Sequence, residues 1–154
     1  MRIAVIGGGP GGLYFATLVK QLDPTHEITV WERNAADDTF GFGVVFSDET
    51  LGGIEHADRS IHRAMEAEFA RWDDIDVHFR GRIITSGGHG FAAMSRKRLL
   101  ELLQARATEL GVTIHFRADA PDVDGGCEGQ PLCRWPCRRL VPHDDLVPGR
   151  RTVR

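Results

Sequence analysis

The sequence predicts an α/β domain built on a parallel sheet. Three observations predict it: an apolar run at 2–6 that breaks into glycine, an amphipathic stretch at 11–22, and a second apolar run at 27–32 that ends on an acid. In the middle stretch Phe15, Leu18, Val19 and Leu22 recur at the i, i+3, i+4, i+7 spacing of one helix face. Asp23-Pro24 closes that helix, because the residue before a proline is pushed out of the α region. Two strands joined by a helix of this length form a βαβ unit, a parallel pair with a right-handed crossover.

Later elements are shorter and less regular. "NAADDTFGFG" reads as a loop, and 48–72 as helix in pieces, interrupted at Gly52-Gly53. Asp48 and Glu49 sit where a helix N-terminus favours acids. "IDVHF" and "RIIT" flank Arg80-Gly81, the two-residue spacing of a hairpin turn. "SGGHG" (86–90) is a second glycine-rich loop. Ser95 caps a helix over 96–110 that turns Leu99, Leu102, Leu103 and Leu110 inward, and Gly111 stops it. "VTIHF" is a further strand.

Bulk composition narrows the function. Hydrophobic residues make up 42% and charged residues 27% of the 154 positions, which is globular rather than disordered. A net charge of −3 supplies no field for a polyanion, so no nucleic-acid partner is expected. No apolar run nears the roughly 20 residues of a membrane span, and the N-terminal run is cut by glycine too early for a secretory signal. The expected location is cytoplasmic.

"GGGPGG" then carries the chemistry. Gly7, Gly9 and Gly12 satisfy G-x-G-x-x-G between a strand and a helix, and Glu32 ends the next strand 20 residues after Gly12. Gly7 allows a tight turn, Gly9 lets a pyrophosphate reach the backbone, and Gly12 lets helix and strand approach. Gly8, Pro10 and Gly11 complete the loop, and the helix start offers free N–H groups and a positive dipole end. Glu32 can accept hydrogen bonds from a ribose diol and repels a 2′-phosphate, which disfavours NADP here. The pattern does not choose between NAD and FAD. These features make the domain Rossmann-like, FAD- or NAD-binding.

A narrower likeness favours FAD. "IAVIGGGPGGL", "WERN", "FGFGVVFSD", "WDDIDVHFRGR", "SGGHGF" and "SRKRLLELL" together resemble the N-terminal part of FAD-dependent aromatic hydroxylases, the class A flavoprotein monooxygenases, and within them the group acting on aryl-CoA thioesters. The likeness covers residues 1–117. It implies that Gly7, Gly9 and Gly12 hold the FAD pyrophosphate and Glu32 the adenosine ribose, with Arg33 beside it. It places Gly43, Val44 and Val45 near the isoalloxazine, and Arg96, from an R-x-x-L-x-x-x-L pattern, close to FAD; Arg98 is an alternative. It further implies NADH or NADPH as reductant and transfer of one oxygen atom to an aromatic, possibly CoA-linked, small-molecule substrate. No catalytic acid or base maps onto this sequence.

Other groupings are bland. His89 sits between glycines, either at a substrate or simply exposed. Asp73, Asp74 and Asp76 read as a solvated strand start. Cys127, Cys133, Cys137 and His143 lack the close C-x-x-C pairs of compact zinc sites, so no metal is expected.

From Ala118 on, Ile, Phe, Tyr, Met and Lys are absent, while five of seven prolines and all three cysteines are present. The expected division is a dinucleotide-binding domain over 1–117 and an irregular tail over 118–154, disordered or encoded out of frame. The G-A-D-G and G-D motifs of the resembled family are missing, so the domain is expected to be incomplete and flavin affinity weak. Two rivals stay open: an NAD-dependent Rossmann dehydrogenase, and an inactive fragment or ADP-moiety binder.

Overall fold

The computed structural model of the chain describes residues 1–120 and the two-residue strand Leu132–Cys133. The elements in order are β1 (Arg2–Ile6), α1 (Pro10–Leu22), β2 (Glu27–Glu32), β3 (Gly43–Ser47), α2 (Asp48–Ala57), α3 (Arg59–Glu66), β4 (Ala70–Trp72), β5 (Ile75–Phe79), β6 (Arg82–Ser86), β7 (Phe91–Ser95), α4 (Arg96–Glu109), β8 (Thr113–Phe116) and β9 (Leu132–Cys133).

The expected βαβ unit is present. β1 pairs in parallel with β2, Val5 opposite Val30, and the sheet runs β8-β2-β1-β9 with every pairing parallel. Ile3, Ala4 and Val5 are buried in succession, as in a strand covered on both faces. β9 lies in the stretch where the sequence showed no strand pattern; the cysteine side chains and the rest of that stretch fall outside the described residues.

The buried face of α1 differs from the expected one. Leu13, Ala16 and Thr17 are buried, while Leu22 is 85% exposed and Phe15 and Val19 only flank the core. The helix meets the sheet through small residues that permit close approach. Thr17 tolerates burial because its hydroxyl donates to the Leu13 carbonyl at 2.8 Å. α1 also packs against α4, whose Leu99, Leu100, Leu103 and Ala107 are buried.

A second sheet, antiparallel, runs in the order β3-β7-β4. Neither β3 nor β7 was legible: β3 begins at Gly43, and β7 contains two alanines, poor strand formers that tertiary pairing overrides. Nor does Gly52-Gly53 interrupt the helix there. α2 runs through both glycines, and the break falls at Asp58, whose carboxylate accepts the Ser60 and Ile61 N–H groups and starts α3.

β5 and β6 form the expected hairpin. Arg80 (φ 48°) and Gly81 (φ 74°) both take the left-handed conformation that a two-residue turn between twisted strands requires. The Ser95 hydroxyl caps α4 by accepting from Arg98 N–H, and Gly111 (φ 84°) follows its end. Among the described residues no helix is long and apolar enough to cross a membrane.

Candidate functional site

The site assembles at the carboxyl ends of β1 and β2. Gly7 leaves β1 at φ 106° and donates its N–H to the Trp31 carbonyl at 2.8 Å, which folds the loop back over β2. Gly9 then occupies the N-cap of α1 without any side-chain cap, and Pro10 starts the helix. The first-turn N–H groups therefore lack an internal acceptor. A Cβ at Gly12 would lie 2.0 Å from the Gly7 carbonyl oxygen, so only glycine lets helix and loop meet. Gly9 and Gly11 face open space instead. The loop's glycines thus divide into two that pack, Gly8 and Gly12, and three that leave room, Gly7, Gly9 and Gly11.

Glu32 turns back to this loop. Its Oε2 accepts the Gly8 N–H at 2.7 Å and its Oε1 accepts the Asn34 N–H at 2.8 Å. A Cβ on Gly8 would lie 2.9 Å from the Glu32 Cβ. Each carboxylate oxygen keeps acceptor capacity for a further donor.

Tertiary folding brings a third element to the same place. A cleft of about 120 Å³ is lined by Gly8, Gly9, Glu32, Thr39 and Arg96, with Gln104 at its side. Arg96 is half-buried, and its N–H donates to the Phe42 carbonyl at 3.3 Å, which ties the start of α4 to the loop before β3. Among the described residues its guanidinium pairs with no carboxylate. Arg98, the alternative, is held by Glu68 at 3.0 Å and Glu101 at 3.1 Å, and those hydrogen bonds raise its pKa.

Other predicted residues fall elsewhere. Arg33 is exposed and does not line the cleft. Gly43, Val44 and Val45 belong to β3: a Cβ at Gly43 would lie 3.0 Å from the Met94 carbonyl oxygen, Val44 flanks the core, and Val45 is 57% exposed. His89 is exposed, its Nε2 2.7 Å from the Ser86 hydroxyl. Sequence reasoning missed Thr39. Its Oγ1 is buried, borders the cleft, and has no hydrogen-bond partner among the described residues. No local signal in "DDTFG" marks it; only the approach of α4 does. A second cavity of about 210 Å³, between Pro10, Tyr14, Phe46, Ile54 and Leu103, is apolar and offers a phosphate nothing.

Known proteins carry similar sequences. Over 122 residues, 79% of the chain, it is 52% identical to salicyloyl-CoA 5-hydroxylase from Streptomyces sp. The chain is related to the aromatic hydroxylases. A 3-hydroxy-4-methyl-anthranilyl-[aryl-carrier protein] 5-monooxygenase from Streptosporangium sibiricum is 33% identical over 79% of the chain. The chain spans 24% of the length of the first of these hydroxylases and 34% of the second. No family model matches it. Among solved structures, 2-methyl-3-hydroxypyridine-5-carboxylic acid oxygenase superposes with a TM-score of 0.67 at 23% identity, over 77% of this chain and 32% of that one. PqsL of P. aeruginosa, in complex with 2-aminobenzoylacetate, gives 0.65 at 16% identity, over 80% and 36%. These two support the fold: an α/β domain with a parallel sheet, shared with these longer chains.

Proposed function

We propose that residues 1–117 bind the ADP half of FAD, as the dinucleotide-binding portion of a flavin-dependent monooxygenase that hydroxylates an aromatic, CoA-linked substrate in the cytoplasm. The observation that carries the reading is the convergence on one cleft of uncapped helix N–H groups, a ribose-competent carboxylate, and a buried hydroxyl and a guanidinium that meet no hydrogen-bonding or carboxylate partner among the described residues. These complement the parts of an ADP moiety. The α1 N-terminus and Arg96 meet the diphosphate, Glu32 accepts from the ribose diol, and Thr39 supplies a short-range hydroxyl. A volume of about 120 Å³ suits a part of the ligand, since whole ligand pockets occupy about 300–1,000 Å³.

When bound, the flavin would supply the redox chemistry by which NADH or NADPH and oxygen hydroxylate the ring. This chain's residues hold and orient: Gly9 keeps the backbone bare for the phosphates, and Arg96 offsets their charge. Leu132–Cys133 adds β9 to the sheet beside β1, and Gly43 to Val45, on β3, would run beside the isoalloxazine rather than the ADP half. Turnover is proposed only for a protein carrying the further length that the related hydroxylases have.

Calorimetric titration with ADP, FAD and FMN tests the reading. ADP and FAD are expected to bind with affinities within about tenfold, a difference of about 1.4 kcal/mol, and FMN, which lacks the ADP half, is expected not to compete. No binding of ADP sinks the proposal. FMN displacing ADP sinks it equally.

A further inference from the structure

The starts of two helices border the cleft. Gly9 caps α1 and Arg96 opens α4, and both line it. The far ends of the same helices meet at one carboxylate, that of Asp58. Arg106, in the last turn of α4, donates its Nε to Asp58 Oδ2 at 2.9 Å and its Nη2 to Oδ1 at 3.4 Å. Gln21, in the last turn of α1, donates its side-chain amide to the same Oδ2. The two helices therefore run side by side in one direction, packed on each other, N-termini at the cleft and last turns on Asp58.

Asp58 is itself held in place. It is buried. Its N–H closes α2 on the Ile54 carbonyl at 2.8 Å, and its Oδ1 accepts the Ser60 and Ile61 N–H groups that start α3. One side chain is thus a fixed point for four helices. A buried ion pair adds little to stability over apolar packing of the same volume. What it supplies is direction, since a guanidinium bonded through two nitrogens keeps one orientation.

That direction matters on α4. Leu99, Leu103 and Ala107 make its buried stripe. Arg96, Leu100 and Gln104, at i, i+4 and i+8, line the cleft on one flank of that stripe, and Arg106 leaves from the other flank. The Arg106 contact resists rolling or sliding of α4 over the core, and either motion would carry Arg96 across the cleft. Arg96 is about 15 Å from Arg106 along the axis, at roughly 1.5 Å per residue, so Asp58 acts on it only through the helix.

We propose that Asp58, with Arg106 and Gln21, is a positioning cluster for nucleotide binding: it clamps α1 and α4 at their far ends and so sets the gap between the α1 N-terminus and Arg96, the two groups that meet the diphosphate. The proposal rests on the ADP reading of the cleft. Without Arg96 the gap no longer matters, so the contribution of the clamp must vanish with that side chain. A purely structural role predicts no such dependence.

A double-mutant cycle read by calorimetric titration with ADP tests this, on the whole chain and at a temperature where circular dichroism shows every variant folded. Asp58→Asn keeps an oxygen to cap α3 but sets an amide against the guanidinium. Arg106→Met keeps the apolar stem and removes the charge. Each is expected to weaken ADP binding at least fivefold in the wild-type background and less than twofold in the Arg96→Ala background. Arg106→Lys, the milder change, carries the same test should either variant fail to fold, and is expected to fall between Arg106→Met and wild type. Met65→Ala hollows the core beside the clamp and is expected to lower the melting temperature while leaving ADP affinity within twofold. Wild-type affinity in Asp58→Asn and Arg106→Met, with Arg96→Ala still weakened, overturns the clamp and leaves the ADP reading standing. Equal losses in both backgrounds overturn it too, because general loosening then explains them. A wild-type chain that does not bind ADP removes the reading itself and the clamp with it.

Discussion

The Glu32 carboxylate accepts the Gly8 N–H at 2.7 Å, joining the end of β2 to the loop that follows β1. One side chain thereby fixes the loop's shape and presents its remaining lone pairs to whatever lies above it. Hydrogen bonds to charged groups contribute about 1.5–3 kcal/mol each. Glu32→Ala removes this bond together with the proposed ribose acceptor. The variant is expected to bind ADP about 10- to 100-fold more weakly by calorimetry. Affinity within threefold of wild type would mean that Glu32 braces the loop without touching the ligand.

Two glycines separate folding from binding. Gly12→Ala forces a Cβ to 2.0 Å from the Gly7 carbonyl oxygen. Overpacking of this kind costs about 1–3 kcal/mol, and backbone against backbone yields little. Thermal unfolding should begin several degrees lower. Gly9→Ala meets no atom within 4 Å and has an ordinary backbone, φ −72°. Its melting temperature should stay near that of wild type while ADP binding is lost, because the methyl group takes the phosphates' place. Full ADP affinity in Gly9→Ala would count against a phosphate at that point.

Arg96 and Arg98 are neighbours on one helix with different tasks. Arg96→Ala is expected to weaken ADP binding at least tenfold and to flatten its dependence on salt, since a desolvated guanidinium–phosphate contact is lost. Arg98 belongs to exposed ion pairs with Glu68 and Glu101, which contribute about 0–1 kcal/mol. Arg98→Ala should leave affinity within threefold. Thr39→Val removes the hydroxyl that has no partner among the described residues. It should weaken ADP binding several-fold without lowering stability, and unaltered affinity would show that the hydroxyl meets no ligand.

Asp58 makes stability depend on pH. It is 3% exposed, caps α3, and receives the Arg106 Nε at 2.9 Å and the Gln21 amide. Burial pushes its pKa up, but the Arg106 hydrogen bonds, the Ile61 N–H and Gln21 together outweigh that and hold it below the ordinary value. A carboxylate depressed in the folded state adds stability above its unfolded pKa of about 3.9 and gives that contribution up as pH falls through the lower, folded pKa. Urea unfolding should show wild-type stability dropping below pH 4 more steeply than that of Asp58→Asn. At pH 7, Asp58→Ala should lose about 3–5 kcal/mol, because Arg106 is left without its buried partner. Parallel pH profiles for wild type and Asp58→Asn would contradict this.

Local chemistry made part of the molecule legible. The G-x-G-x-x-G loop, Glu32, the Arg80-Gly81 turn and the Ser95 cap each follow from the conformation or hydrogen bonding of a few adjacent residues. Counting large apolar residues failed on α1, because its sheet-facing side is made of small ones.

The sequence by itself determined the βαβ unit, the glycine-rich loop and the hairpin, since each needs only neighbours along the chain. Tertiary structure alone decided that Gly43–Ser47 and Phe91–Ser95 are paired strands, that Asp58 meets Arg106 across 48 positions, and that Thr39 and Arg96 close on the glycine loop. Those relationships join residues far apart in the chain, where the free energy comes from burial and pairing with a partner that no local pattern names.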